Sequence, residues 1–376
     1  MAIDRRRFLL SSAGITAASC LPVGLSWAGE VPVGGRRRIF GAALDSEGRY
    51  ILASVAAGGG DPVIVPLPGR GHGPAVDPTG RWVVMLARRP GTFMVVADAG
   101  TGAMVAQHIS PARRHFFGHG VFSPDGRFLY TTENDIETGK GVIGVWDMSG
   151  AGDRVAEFPS YGIGPHQLVL HPDGETLIIA NGGIETHPDT GRRKLNIATM
   201  QPSLAYVDRR TGALAEKRQM PDELHKLSIR HLDVSQDGLV GLAFQYQGPR
   251  TDTVPMVGFH RRGEDIEFAQ ASANILRHMK HYCASVGFDR SGRWLGVTAP
   301  RGNIATVWDV ATRTCGYVLG VPDAGGVVAT DRDGAFVFGT GTGLLVTAEI
   351  RDGRLTETHR SAASGFRGWD NHLLAV

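Results

Sequence analysis

The stretch Phe122-Ser123-Pro124-Asp125-Gly126-Arg127-Phe128 places a tight Asp-Gly turn between two apolar segments. Asp-Gly between apolar runs is a strong β-hairpin signal, because glycine adopts a positive φ without steric penalty. Consecutive turn glycines are 46, 48, 64, 54 and 42 residues apart, close to the period of a four-stranded propeller blade. These turn glycines are Gly80, Gly126, Gly174, Gly238, Gly292 and Gly334.

A second marker follows most hairpins and indicates a third strand that turns into a fourth. It is an Asp followed by Thr-Gly or a similar pair, as in Asp98 with Thr101-Gly102. Six repeats are complete, and leftover strands at the two ends of the chain can form one more blade, which closes the ring and removes exposed sheet edges. The sequence therefore predicts an all-β, seven-bladed β-propeller of YVTN/WD40-like type, forming a single domain over 29–376. The leftover strands are predicted at 38–44, 50–55, 63–67 and 372–376.

Composition excludes several classes of protein. The 376 residues include 52 Gly, too many for a helical bundle, since each interior glycine costs about 1 kcal/mol relative to alanine. Basic and acidic residues nearly balance, at 39 and 37, so the chain lacks the basic stripe of a nucleic-acid-binding protein. We expect the protein to be a monomer that has no nucleic-acid partner.

The N-terminus has the pattern of a twin-arginine (Tat) export signal. Arg5-Arg6-Arg7 precedes Phe8-Leu9, a weakly apolar run follows, and Ser26-Trp27-Ala28 supplies small residues for cleavage after Ala28. The apolar run is too diluted by Ser, Thr, Ala and Gly for a membrane anchor, so we expect no stable membrane insertion. The sequence predicts a signal peptide over 1–28 and a periplasmic protein. In that compartment Cys283 and Cys315 could form a disulfide or stay as two buried thiols.

Propeller topology places the Asp-Gly and Asp…Thr-Gly turns on one face, called the bottom, and the remaining loops on the other, called the top. Four histidines precede their turn glycines by 7 or 8 residues, so they occupy equivalent positions near the central channel. Imidazole together with carboxylate suits iron, copper or zinc. The predicted metal ligands are His72, His119, Glu133, His166, Glu185 and His231.

Other polar residues are predicted in the same top-face loops, where binding residues concentrate on a rigid scaffold. Arginines among them would bind a carboxylate or phosphate by bidentate contacts. Each of these residues could equally serve as a structural hydrogen-bonding group. The predicted ligand-binding residues are Arg70, Arg88, His115, Asn134, Asn181, His187, His225, Arg230, Arg301 and His372.

Nine stretches resemble an uncharacterised family of Tat-exported β-propellers, found alongside imelysin-type, iron-regulated periplasmic proteins. The resemblance covers essentially the whole mature chain and implies the fold, the export route, a link to iron and an imelysin-like partner, but no established reaction. A Gly-rich insertion at 56–61 departs from the pattern. The stretches are PLPGRGHG (66–73), ARRPGTF (87–93), GHGVFS (118–123), YTTEND (130–135), GVIGV (141–145), GIGPH (162–166), NGGIETHP (181–188), LHKLSIRHL (224–232) and WDNH (369–372).

Three functions are consistent with these patterns. The first, which we favour, is a periplasmic binding or accessory protein, rather than an enzyme, that holds a metal or metal complex in a His/Glu/Arg-lined site. The second is a small-molecule hydrolase, because residues 119–130 also resemble lactonase-type propellers; it would need a His or Glu general base. The third is a protein-interaction scaffold. No GxSxG elbow and no P-loop is present in the sequence.

Overall fold

The computed structural model describes residues 37–56, 61–191, 193–362 and 365–376. They form seven four-stranded antiparallel sheets arranged as the blades of a ring. The predicted all-β, seven-bladed propeller is confirmed. The predicted signal peptide over 1–28 lies outside the described residues, and among the described helices none has the length and hydrophobicity needed to cross a bilayer.

Each blade presents one strand to the axis of the ring, and neighbouring axial strands contact one another all the way round. These seven strands carry the site described below. They are β4 (Gly71–Val76), β8 (Arg114–Phe122), β12 (Pro165–Leu170), β16 (Leu227–Val234), β20 (Ser285–Phe288), β24 (Ala324–Ala329) and β28 (Phe366–Ala375).

The outer strands follow their axial strand in chain order in six of the blades. Their third and fourth strands are joined by the predicted Asp-containing turns or by longer loops. Blade 2 adds β5 (Trp82–Ala87), β6 (Phe93–Asp98) and β7 (Met104–Ile109); blade 3 adds β9 (Phe128–Asp135), β10 (Gly141–Asp147) and β11 (Asp153–Pro159); blade 4 adds β13 (Thr176–Asn181), β14 (Ser203–Asp208) and β15 (Leu214–Gln219); blade 5 adds β17 (Val240–Tyr246), β18 (Val257–His260) and β19 (Glu267–Phe268); blade 6 adds β21 (Trp294–Ala299), β22 (Ile304–Asp309) and β23 (Thr314–Gly320); blade 7 adds β25 (Ala335–Thr340), β26 (Leu344–Arg351) and β27 (Arg354–Ala362).

The first blade is shared between the two ends of the chain, as predicted. The strands β1 (Arg38–Asp45), β2 (Tyr50–Ala56) and β3 (Val63–Pro66) pair in the order β28-β1-β2-β3. Backbone hydrogen bonds join Arg38 N to Val376 O at 2.8 Å and Val376 N to Arg38 O at 3.0 Å. The C-terminal strand begins at Phe366, six residues before the predicted start, because 366–371 continue the pairing with β1 toward the top face.

Short helices occur only in connections within the described part of the chain. One α-helix, α1 (Ala273–His278), links blades 5 and 6, and its N-cap Ser272 accepts a hydrogen bond from Ile275 N. Three 3-10 turns cover Pro188–Thr190, Asp222–Leu224 and Pro300–Gly302.

The core lies between adjacent blades. Middle strands such as β5 and β13 are packed on both faces by neighbouring blades, which explains their nearly continuous apolar sequences. Outermost strands such as β15 alternate between exposed and half-buried residues, because only one face meets a neighbour. Cys283 is buried and Cys315 half-buried, and both are free thiols.

The six predicted turn glycines all have positive φ, between +68° and +81°. At the first of these turns, Asp77 accepts hydrogen bonds from Thr79 N at 3.0 Å and from Trp82 N at 2.5 Å. The Asp therefore fixes the turn through its side chain, and the glycine supplies the left-handed backbone.

We expect Gly80→Ala to lower the free energy of unfolding by about 1–2 kcal/mol, because φ is +72° there and a left-handed alanine costs that much. No atom lies within 4 Å of a Cβ added at Gly80, so the effect isolates the backbone strain. Gly150→Ala is the matched control, since its Cβ also meets open space and its φ is not positive. Urea unfolding that shows the two variants equally stable would contradict this account of the turn.

Candidate metal centre

Five histidines from five different blades meet at the axis of the ring. His72 and His119 have ring centroids 4.9 Å apart, and His166 lies 5.3 Å from each of them. His372 lies 4.5 Å from His72 and 4.4 Å from His119, and His231 lies 4.7 Å from both His166 and His372. We call this set the histidine cluster.

The arrangement within the histidine cluster is compact on all sides. Of the ten pairs, nine make ring contacts, with centroids 4.4 to 6.4 Å apart. The pair without a contact is His72 and His231, which therefore lie at opposite ends of the cluster. His119, His166 and His372 lie between these two end residues.

Irregular pairing of the axial strands aims these side chains at the axis. The ladder between β12 and β13 shifts between Pro165 and Gln167, so that His166 is an extra, bulged residue. The corresponding shifts contain His72 in β4 and His119 in β8, and in β28 a bulge falls at 370–372. In β16 the extra residue is Arg230, directly before His231. A bulge re-aims side chains, and here it does so at one level of five strands.

Two glycines allow the rings to come together. A Cβ added at Gly73 would lie 2.6 Å from Nδ1 of His119, and one added at Gly118 would lie 2.6 Å from Cβ of His72. Gly118 also has φ +107°, which other residues rarely adopt. The dipeptides His72-Gly73 and Gly118-His119 thus pack against each other, and neither glycine can be replaced without separating the two histidines.

The remaining two blades contribute small residues at the same level. Ser285 begins β20, and Gly325 is the bulged residue of β24. A Cβ at Gly325 would lie 3.3 Å from the backbone of Asn371. The small residues of blades 6 and 7 therefore leave space at the axis for the imidazoles of the other five blades.

Burial determines the ionisation of the histidine cluster. Its members are at most 6% exposed. Burial lowers the pKa of His72 to about 3 and holds the pKa of His119, His166, His231 and His372 well below the ordinary value. All five rings are consequently neutral near pH 7, the form in which imidazole donates a lone pair to a metal.

Neighbouring groups fix the orientation of His231 and His72, the histidines at the two ends of the cluster. Nδ1 of His231 lies 3.2 Å from Oε1 of Gln167, whose amide nitrogen donates to Leu232 O at 3.0 Å. The Gln167 oxygen can only accept, so His231 carries its proton on Nδ1 and keeps the lone pair on Nε2. At the other end of the cluster, Nδ1 of His72 lies 3.5 Å from Oδ1 of Asp370.

Asp370 links the histidine cluster to the arginines above it. Its Oδ2 accepts a hydrogen bond from Arg70 Nε at 2.6 Å. Although burial alone would raise the pKa of Asp370, His72 and Arg70 outweigh it and lower that pKa. A carboxylate behind a histidine is the usual second-shell partner of a metal ligand, because it orients the ring and raises its basicity.

The ring nitrogens that face the interior of the cluster have no hydrogen-bond partner among the described residues. Buried polar atoms without partners are rare in folded proteins and indicate a missing ion or water. Nitrogens of four of the histidines also lie within 4.8 Å of one another, a set made of His72, His119, His166 and His372. Those unpartnered atoms are Nδ1 of His166 and Nε2 of His72, His119, His231 and His372, whereas Nδ1 of His72 faces Asp370.

Cationic residues lie on the top side of the histidine cluster. Besides burial, the charges of Arg88 and Arg230 lower the pKa of His372, so both lie within electrostatic range of it. Arg230 is only 8% exposed, and burial together with Arg89 and Arg88 lowers its pKa to about 9. The guanidinium carbon of Arg301 lies 4.2 Å from the ring centroid of Tyr282.

The two predicted carboxylate ligands do not reach the cluster. Glu133 is fully buried inside blade 3, where it pairs with Arg154 at 2.8 Å and accepts from Thr131 Oγ1 at 2.7 Å. Burial raises the pKa of Glu133. Glu185 is half-buried against the 136–139 turn, within 3.4 Å of a Cβ added at Gly139. Glu133 lies within the second strand of blade 3, and Glu185 follows the second strand of blade 4, so neither is carried by an axial strand.

Several predicted ligand-binding residues have local partners. Asn181 is buried and bonds Ser160 through both ends of its amide, at 2.8 Å each. Nδ1 of His187 accepts from Asp189 N at 3.3 Å and so caps a 3-10 turn, and Nδ1 of His225 lies 2.8 Å from Asp222 O. His115 and Asn134 are buried opposite each other on β8 and β9.

The predicted position of the histidines also needs a correction. The sequence placed them in top-face loops before the axial strands, but they lie within those strands and are buried. His372 is predicted as a ligand-binding residue and not as a metal ligand, yet its ring lies in the histidine cluster with the other four. Asp370 and Gln167 were not predicted, although WDNH and the His166-Gln167 pair place both beside a cluster histidine.

Comparison with known proteins identifies the family of this chain but does not assign an activity to it. No curated protein shows significant similarity to the chain. The solved structure of the hydrazine synthase of Kuenenia stuttgartiensis is similar in fold, with a TM-score of 0.58 and 16% identity over 86% of this chain and 95% of that chain. The family model described as "Protein of unknown function (DUF1513)" matches residues 65–376, so the chain belongs to the DUF1513 family.

Proposed function

We propose that this protein binds one transition-metal ion in the histidine cluster and serves as a metal-binding or accessory protein. The observation that carries the proposal is the convergence of unpartnered, buried ring nitrogens from five blades. Five neutral imidazoles packed together stabilise one another only weakly, because their inward-facing nitrogens have no hydrogen-bond partners. A cation among them would bind the inward-facing lone pairs of His72, His119, His166 and His372, whose nitrogens lie within 4.8 Å of one another.

The donor set defines the kind of ion. Imidazole nitrogens suit zinc, copper, nickel and iron(II), whereas calcium and magnesium prefer oxygen ligands. Two nitrogens bound to one ion at 2.0–2.1 Å lie about 3.0 to 4.2 Å apart, slightly less than the 4.8 Å limit here, so small ring rotations would close the site. With neutral ligands and arginines nearby, a divalent ion fits better than iron(III). Of the metals proposed from the sequence, zinc, copper(II) and iron(II) are the candidates.

The proposal includes export. The arginine pair and small-residue cleavage site at the N-terminus support Tat-dependent transport to the periplasm, where an imelysin-like iron-uptake protein is the partner implied by the family resemblance. We expect Arg5→Lys together with Arg6→Lys to leave the protein in the cytoplasm. Cell fractionation and immunoblotting check this, and periplasmic protein in the double variant would contradict it.

The hydrolase alternative requires a general base on the same site. Glu133, one of the two glutamates among the predicted site residues, is engaged by Arg154 and Thr131. The scaffold alternative makes no use of the histidine cluster, and metal analysis separates it from our proposal.

We expect metal-free protein to bind one equivalent of zinc or copper(II), and His166→Ala to weaken binding by at least a hundredfold. The reason is that changes even to second-shell groups cost 10- to 100-fold in metal affinity. Calorimetric titration measures the affinity, and elemental analysis of protein purified without chelators identifies the native ion.

His359→Ala is the control, because His359 is exposed on β27, the outermost strand of blade 7, and not on an axial strand. Asp370→Asn should cause an intermediate loss of about 10- to 100-fold, since it removes the charge behind His72. Equal zinc affinity in wild type, His166→Ala and His359→Ala would exclude the histidine cluster as the site.

The metal-free protein should lose stability below pH 6.5. Because burial lowers the pKa of every cluster histidine, the unfolded chain takes up protons below pH 6.5 that the folded protein does not. Each such histidine then lowers the free energy of unfolding by about 1.4 kcal/mol per pH unit until its folded-state pKa is reached. Above pH 6.5 these groups contribute no pH dependence.

Urea unfolding at pH 7.5, 6.5 and 5.5 measures this slope. A variant with His166→Ala and His231→Ala should show a shallower loss than wild type, and bound zinc should raise the stability of wild type at each pH without removing its slope. Identical slopes in wild type and the double variant would show that the cluster histidines titrate normally.

A further inference from the structure

A group of cations surrounds the top side of the histidine cluster. Arg230 lies within electrostatic range of Arg88 and Arg89, and Lys194 within range of Arg230, Arg301 and Arg89. They come from blades 2, 4, 5 and 6, so the top opening of the channel brings them together. We call Arg88, Arg89, Lys194, Arg230 and Arg301 the cationic rim.

Three members of the cationic rim lack an acidic partner among the described residues. Lys194 donates to the side chain of Gln247, and Arg301 stacks on Tyr282. Arg230 has neither an ion pair nor a hydrogen bond to any described residue, although it is only 8% exposed and its Nε is fully buried. Elsewhere the arginines pair readily, as Arg154 does with Glu133 and Arg70 does with Asp370.

A buried, unpaired guanidinium beside other cations is strongly unfavourable unless an anion accompanies it. Its surroundings are arranged to hold it in place. A Cβ at Gly182 would lie 3.2 Å from a terminal nitrogen of Arg230, so this glycine makes room for the guanidinium. Ser228, which precedes Arg230 by two residues, donates to Gly182 O at 2.7 Å and fixes the loop that contains Gly182. Tyr282, which stacks on Arg301 and lies within electrostatic range of Arg230, accepts from Asn371 Nδ2 at 3.3 Å.

We propose that the cationic rim binds a small, multiply charged oxyanion, a polycarboxylate or a phosphate, above the histidine cluster. The forked guanidinium of Arg230 would make paired hydrogen bonds to one oxyanion group, and the rim would supply further charge. The inference deepens the proposed function, since it gives the same site its anionic ligand. A divalent ion held by neutral imidazoles needs compensating anions, and this arrangement supplies them from a bound molecule.

The binding of the anion to metal-free protein tests the inference. Protein stripped of metal is titrated by calorimetry with inorganic phosphate and, separately, with citrate. We expect one-to-one binding of at least one of them, weakened by added sodium chloride, because exposed charges are screened. Arg230→Gln should lower the affinity about tenfold or more, and Lys194→Gln, a change at an exposed position, severalfold.

Arg210→Gln is the matched control, because Arg210 is exposed on a bottom-face turn and pairs with Glu175. Binding of phosphate only assigns the rim to phosphates, binding of citrate only assigns it to polycarboxylates, and either supports the inference. Absence of binding by both probes, or equal affinities in Arg230→Gln and Arg210→Gln, would overturn it.

A parallel zinc titration separates this inference from the proposed function. Arg230→Gln that loses the anion yet still binds zinc supports the rim as a distinct ligand site. If wild type binds the anion but no metal, and His166→Ala keeps the anion affinity, the proposed metal site fails while the anion site stands.

Discussion

Backbone pairing of β1 with β28 closes the ring, and the site depends on that closure. The two hydrogen bonds between Arg38 and Val376 join the ends of the chain. Because β28 is held in place as an axial strand, His372 reaches the other four histidines and Asp370 reaches His72 and Arg70. An open ring would leave β28 without a partner and separate blade 1 from blade 7. The histidine cluster therefore assembles only when the whole chain has folded.

The same geometry explains why the histidine cluster lowers the stability of the folded protein. Seven axial strands converge, so residues at one level meet across a few ångströms even when they are hundreds of positions apart in sequence. At this level the chain places imidazoles in five blades, with inward nitrogens that lack partners. Cores are normally filled with apolar side chains, and buried polar atoms cost free energy unless they are paired. The apolar core between the blades offsets this cost.

Most of the fold could be predicted from short-range chemistry. The Asp-Gly turns repeat at blade spacing, and all six glycines adopt the positive φ that the turn requires. Equivalent spacing from those turns also grouped His72, His119, His166 and His231. The deviations have physical causes: bulges bury the histidines within strands, and bulges have no reliable sequence signal. His372 lies in a blade without the marker turn, and Glu133 is drawn into an ion pair with Arg154 that depends on packing between strands.

X-ray absorption at the edge of the bound ion tests the central claim most directly. For the zinc- or copper-loaded protein, we expect four or five nitrogen neighbours at about 2.0–2.1 Å with the outer-shell scattering typical of imidazole rings. The number of imidazoles should fall by one in His166→Ala. A first shell made of oxygen or sulfur, or fewer than three imidazoles around the ion, would contradict a metal centre built from the histidine cluster.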